Sequence, residues 1–162
     1  MSVAIFTNNP NLSAIFPSSG KLEPARPGPE LLTQVNSRCR SGEKCIPIFF
    51  EACANTVLTG SRDFIHAGWR LLHHPLYGNY RPIQQPYRSV ILSAPAVNPS
   101  ESPNYPVDLE SLHLIEEALL VYASAPALHL EKVPLALKEP CALLDCELLL
   151  PTLEQAGVIR PD

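Results

Sequence analysis

Between His73 and Arg88 the chain collects side chains that could hold an anion. His73 and His74 bring imidazoles, Asn79 an amide, and Arg81 and Arg88 guanidinium groups. Tyr77, Tyr80 and Tyr87 add hydroxyl donors, and Gly78 lets backbone come close to a ligand. Arg81 could clamp a carboxylate or phosphate through two parallel hydrogen bonds. Far upstream, Asn8-Asn9-Pro10 follows an apolar run. Asparagine before proline is a good helix N-cap, and free N–H groups at such a start favour anions. Plain capping explains Asn9 equally well. The ligand-binding candidates are therefore Asn8, Asn9, His74, Gly78, Asn79, Arg81, Tyr87 and Arg88. His74, before Pro75 at the end of an apolar run, is also the candidate general acid/base, since histidine titrates near pH 7.

Other groupings carry less chemistry. His73 and His74 are neighbours, and neighbours on a strand face opposite sides, so they do not make a metal pair. The sequence holds no HExxH, CxxC, Walker or dinucleotide pattern, and neither metal nor cofactor is expected. Cys53, near a helix start, could have a lowered pKa, but a small buried hydrophobe is the commoner fate. Arg62, Asp63 and His66 share one helix face. A charge pair positioning the next loop explains them; an acid/base pair is the sharper alternative.

The elements that must position these groups follow from the pattern. Short apolar runs at 2–6, 46–50, 69–73 and 88–93 read as strands. Pro47 places the second at a sheet edge or makes it the strand's first residues. Helices are predicted over 11–16, 30–37, 53–67 and 108–122. The third is stopped by Gly68 and weakened at Gly60; the fourth is capped by Asp108, with Leu109, Leu112, Ile115, Leu119 and Tyr122 as its buried stripe. Residues 141–156 read as one or two helices around Pro151. Together these predict one α/β domain over residues 1–162, with a mainly parallel sheet of about four strands and helices on both faces. The two proline clusters, 17–29 and 95–106, read as surface connections, and a leucine-rich C-terminal extension begins near 124. In a parallel sheet, Asn8 and Asn9 would follow the carboxyl end of one strand and His73 to Arg81 that of another, the edge where open α/β sheets bind ligands.

Composition narrows the partners. With 162 residues, 46% of them hydrophobic, the chain can bury a core without disulfides. A pI near 5.7 argues against nucleic acid. Yet residues 62–88 carry four arginines against one acid, a formal +3 in a chain of net −4, so the remainder carries −7. That local basic segment suits a small anionic metabolite. No basic leader and no eighteen-residue apolar run is present, so neither export nor a membrane span is expected and the cytoplasm is the default. Five cysteines, an odd number, read as reduced thiols.

Several motifs taken together resemble a known family. They are Thr7-Asn8-Asn9-Pro10, Arg62-Asp63-x-Ile65-His66-x-Gly68, Leu71-Leu72-x-His74-Pro75-Leu76-x-Gly78, then Pro82, Pro86-Tyr87-x-Ser89 and Ser111-Leu112-x-Leu114-Ile115-Glu116. This set is similar to the GrdX family, small proteins encoded with the glycine, sarcosine or betaine reductase complexes of amino-acid-fermenting anaerobes. The resemblance covers the first ten residues and Arg62 to about Tyr122. His73 stands where a threonine is more familiar and Trp69 where a histidine is; the Pro17–Pro29 stretch and the tail after Ala123 look like additions. Asn8, Asn9, His74, Gly78 and Tyr87 are the residues it carries over. It implies a cytoplasmic accessory protein that meets a small anionic metabolite or components of a glycine or betaine reductase. A small enzyme using His74, or an interaction module built on the proline-rich segments and the tail, are the other readings.

Overall fold

The computed structural model describes residues 1–16, 22–95 and 105–160. Strand β1 (Val3–Thr7) is buried at every position, as is β4 (Ser89–Ser93). Continuous burial means both of their faces are covered, and these two form the centre of the sheet. Strand β2 (Cys45–Phe49) flanks β1, and β3 (Arg70–Leu71) flanks β4, giving the order β2-β1-β4-β3. Pro47 therefore lies in an edge strand, where a missing N–H is tolerated.

The expected mainly parallel sheet is corrected. Only β1–β2 is parallel; β1–β4 and β3–β4 are antiparallel. A parallel return needs a crossover element packed on the sheet. The connection from β3 to β4 has only two short 3-10 turns, Tyr77–Asn79 and Pro82–Gln84, so the chain folds straight back beside itself. The expected meeting of strand ends at one edge is nevertheless kept. Since β3 is antiparallel to β4, it runs in the same sense as β1. The ends of β1, β2 and β3 and the start of β4 thus meet at one edge. The third strand is also much shorter than the predicted 69–73, because His73 leaves the ladder and meets Ile91 through its ring instead.

Among the described residues four helices cover the sheet: α1 (Pro29–Arg40), α2 (Ala54–His66), α3 (Leu109–Ala123) and α4 (Leu135–Gln155). Alternation along β1 assigns the faces. Ala4 and Phe6 pack with Val35 of α1, Val57, Phe64 and Ile65 of α2 and Ile115 of α3. Val3 and Ile5 pack with Leu12, Ile91 and Leu149 and Leu153 of α4. Each of those two leucines, once buried, contributes roughly 1.5–3 kcal/mol. Helices thus lie on both faces, three against one.

Helix α3 is capped as read, with Asp108 accepting from the Ser111 N–H at 3.0 Å and from its hydroxyl at 2.6 Å. Its buried face is Ser111, Ile115 and Ala118, whereas Leu109, placed on the buried stripe by the pattern, is 76% exposed. Gly60, a weak point by propensity, packs against Phe50, whose ring a Cβ would meet at 3.0 Å. Helix α4 runs through both Pro140 and Pro151 as one element. In the first proline cluster, residues 17–21 lie outside the described residues, and Pro24 bridges to Phe49 at the outer side of β2. In the second, residues 96–104 lie outside them as well. Among the described residues no helix is long and apolar enough to cross a membrane.

Candidate functional site

The sheet edge carries two buried polar networks, one on each face. On the three-helix face, Asn8 spans three segments. Its amide donates to the Ala52 carbonyl at 3.1 Å and the Pro86 carbonyl at 3.0 Å, and its oxygen accepts the Arg88 N–H at 2.8 Å. Arg88 is fully buried. Its Nε donates to the Tyr122 hydroxyl at 3.1 Å, and Nη1 donates to the carbonyls of Pro75 at 3.2 Å and Tyr77 at 3.1 Å. The guanidinium also lies 4.9 Å from the centre of the Tyr77 ring, within cation–π range. Its Nη2 has no partner among the described residues. Arg88 is thus a clamp on the β3–β4 loop.

On the α4 face the centre is Asp145, which sequence reasoning missed. Oδ2 accepts from the Ser89 hydroxyl at 2.7 Å and from Asn9 Nδ2 at 3.0 Å, and Oδ1 accepts from the Tyr77 hydroxyl. Ser89 N–H donates to that same Tyr77 oxygen at 3.0 Å, and the Thr7 and Ser89 hydroxyls meet at 2.6 Å. Asn9 closes the unit, with Nδ2 also on the Ala142 carbonyl at 2.8 Å and its oxygen taking the Asn11 N–H at 3.0 Å. Burial raises the Asp145 carboxyl above its ordinary pKa, while hydrogen bonds from Tyr77, Asn9 and Ser89 and the charge of Arg88 pull the other way. Burial, then the Asp145 charge, push the Tyr77 phenol well up. One signal for Asp145 was present: it occupies an apolar stripe with Ala142, Leu149 and Leu153, where a charge needs a partner.

Beside the first network is a cleft of about 80 Å³. One wall is the start of α2, Cys53 to Asn55; the other includes Pro82, Gln85, Pro86 and Tyr122. Cys53 is the N-cap of α2 and gives it no side-chain cap. Gln85 is 2% exposed, yet neither its amide nitrogen nor its oxygen has a partner among the described residues. Leaving buried polar atoms unmet costs about 1–3 kcal/mol each, so such an amide calls for an explanation. A glutamine in a polar loop is unremarkable as sequence; only its burial singles it out.

The candidate residues separate as follows. Asn8 and Arg88 join on the three-helix face, and both hold walls of the cleft: Asn8 ties Ala52 to Pro86, and Arg88 fixes Tyr122. Asn9 turns to α4, and its side-chain groups are taken. Tyr87 is buried; burial, then Cys141 and Glu139 nearby, raise its phenol. His74 is exposed, with Nδ1 accepting the Leu76 N–H at 3.0 Å. Gly78 and Asn79 are exposed turn residues with positive φ, 80° and 54°. Arg81 is exposed, its own N–H held by Gln84 at 3.1 Å, and it directly precedes Pro82 of the cleft wall.

The remaining groupings have structural settings. His73 Nε2 accepts the Ile91 N–H at 3.0 Å, and burial lowers its pKa to about 4. Arg62 reaches Asp63 at 3.4 Å and Glu116 of α3 at 3.9 Å, an exposed charge pairing that links two helices. All five cysteines are free. Among the described residues no group of three or more His, Cys, Asp or Glu could hold a metal.

These features define a small α/β protein with a mixed four-stranded sheet and a cleft at the edge where β1, β2 and β3 end. The chain belongs to the GrdX-like protein family, whose model matches residues 31–154. The match runs through most of α4, and the first ten residues lie outside it. Searches of the curated proteins and of the solved structures gave no match.

Proposed function

We propose that this GrdX-like protein is a cytoplasmic accessory factor that binds a small anionic metabolite in the cleft between the start of α2 and the Pro82–Pro86 segment. The observation that carries this is the cleft itself, lined by the start of α2 and by Gln85, whose buried amide has no partner among the described residues. The N-terminus of α2 adds free N–H groups and the positive end of a helix dipole. Arg81, exposed and next to Pro82 of the wall, supplies a positive charge, and Asn8 and Arg88 keep the walls in place. The family resemblance extends the reading to a glycine-reductase-type system, with reductase components as the macromolecular partners.

A thermal-shift screen against small carboxylates and phosphates tests the reading, with Arg81→Ala and Gln85→Leu beside the wild type. An anion at a hundred times its Kd adds about 2.7 kcal/mol. For a domain of this size that is a rise of several degrees. The gain should shrink in both variants. A flat response across the whole panel rejects the reading.

A further inference from the structure

Helix α4 packs on the sheet through Leu149 and Leu153, and its opposite side faces away from the protein. The spacing puts Ala136, Leu143 and Leu150 on one line along that outer side, with Glu147 and Glu154 in the row beside it. Leu143 is 57% exposed, Leu150 is half-buried and both glutamates are exposed. Leu137, also exposed, adds apolar surface near the start of the helix. Pro140 and Pro151 lie on the exposed side as well. Proline has no N–H, so the carbonyls four residues earlier, those of Ala136 and Glu147, lose their helical donor. The outer side therefore offers leucines together with carboxylate and backbone acceptors, and few donors. The helix holds one lysine, the half-buried Lys138, against four acids. Among the described residues neither Glu147 nor Glu154 pairs with a cation.

We propose that the outer side of α4 is a docking surface for a basic amphipathic helix of another protein. The partner's apolar side chains cover Leu143 and Leu150, and its lysines or arginines meet Glu147, Glu154 and the carbonyls that the prolines free. Charge complementarity selects this occupant. A second copy of this chain would bring the same acids and the same acceptors, setting like charges against each other. An anionic membrane surface attracts basic segments and repels these glutamates. An amphipathic helix laid along an apolar stripe through anchors at helical spacing meets both demands, apolar cover and positive charge. The surface lies on the other face of the sheet from α2, so the docking does not depend on the cleft.

The test is fluorescence anisotropy of the full chain with three labelled peptides as long as α4. One is a leucine–lysine sequence patterned as an amphipathic helix, one is the same composition scrambled, and one is the patterned sequence with glutamate for lysine. The patterned lysine peptide should bind at least about tenfold more tightly than the scrambled one, and the glutamate peptide should not bind. Leu143→Gln should weaken the lysine peptide about tenfold, the effect of losing one buried leucine. The double reversal Glu147→Lys with Glu154→Lys should exchange the preference between the lysine and glutamate peptides. These positions are exposed, so the variants keep the fold, which circular dichroism checks. No binding of the patterned lysine peptide overturns the proposal, as does equal affinity for the scrambled one or an affinity that either variant leaves unchanged. Two further outcomes also overturn it. Self-association of the wild type in sedimentation that Leu143→Gln abolishes assigns the surface to a second copy, and flotation with anionic vesicles that the same variant abolishes assigns it to a membrane.

Discussion

Asn8 and Pro86, 78 residues apart in the chain, are joined by a hydrogen bond of 3.0 Å from side-chain amide to carbonyl. The same nitrogen reaches Ala52, so one side chain fastens the two walls of the cleft. Asn8→Ala should lose about 3 kcal/mol in urea unfolding, because buried carbonyls and the Arg88 N–H lose their partner. Asn8→Asp should be worse, since a buried carboxylate would face two carbonyl oxygens. A loss below about 1 kcal/mol for Asn8→Ala would show that the walls hold without it.

Asp145 and Tyr77 should couple. Tyr77→Phe keeps the ring under Arg88 and removes one donor to Asp145 and the acceptor for Ser89 N–H. It should cost about 1–2 kcal/mol. Asp145→Ala should cost about 3 kcal/mol, leaving Tyr77, Ser89 and Asn9 donors unmet. In a double-mutant cycle the interaction should exceed about 0.5 kcal/mol, the usual mark of shared partners. Strict additivity would mean that the two side chains act independently.

His73 gives a pH dependence of known sign. Its folded pKa, about 4, lies below the ordinary histidine value, so the folded state resists protonation. The stability it contributes is present above about pH 6.5 and is lost as pH falls toward 4, up to about 3 kcal/mol in all. His73→Gln can still accept from Ile91 but does not titrate. Across that window the wild type should fall relative to His73→Gln in a Tm series, and parallel curves would exclude the mechanism.

Gly78 serves the turn before any ligand. Its φ is +80°, and a Cβ there would meet Leu148 at 2.8 Å. Gly78→Ala should cost about 1–2 kcal/mol from the backbone conformation alone. Relief by Leu148→Ala in the double variant would identify the contact with α4; no relief would leave the whole cost in the backbone.

Much of the fold was legible from local pattern. The apolar runs of β1 and β4, the Asp108 cap, the Asn9-Pro10 turn and the edge placement of Pro47 are all short-range signals, and each is present. The sense of β4 was not legible, because nothing within residues 88–93 states which way the strand runs; the absence of a helix between His73 and Arg88 was the available clue. Helix α4 was obscured by Pro151, which reads as a break although Leu149 and Leu153 on either side of it pack against the sheet. The candidate site was half legible. Polar residues at the edge were visible in advance, but which of them spend their hydrogen bonds on one another is a tertiary fact. Asn9 is consumed by α4, and Gln85, with nothing to mark it locally, keeps a buried amide without a partner among the described residues.

The two ends of the sheet have a further consequence. One end is β2, with Pro47 in its ladder and Pro24 and Ala25 laid beside Phe49. The other is β3, only two residues long. Neither presents a flat row of open backbone groups on which a second chain could dock as an extra strand, the usual route by which exposed sheets clump. The shortness of β3 and the proline in β2, which look like defects in the architecture, thereby guard the protein against intermolecular β-pairing and aggregation.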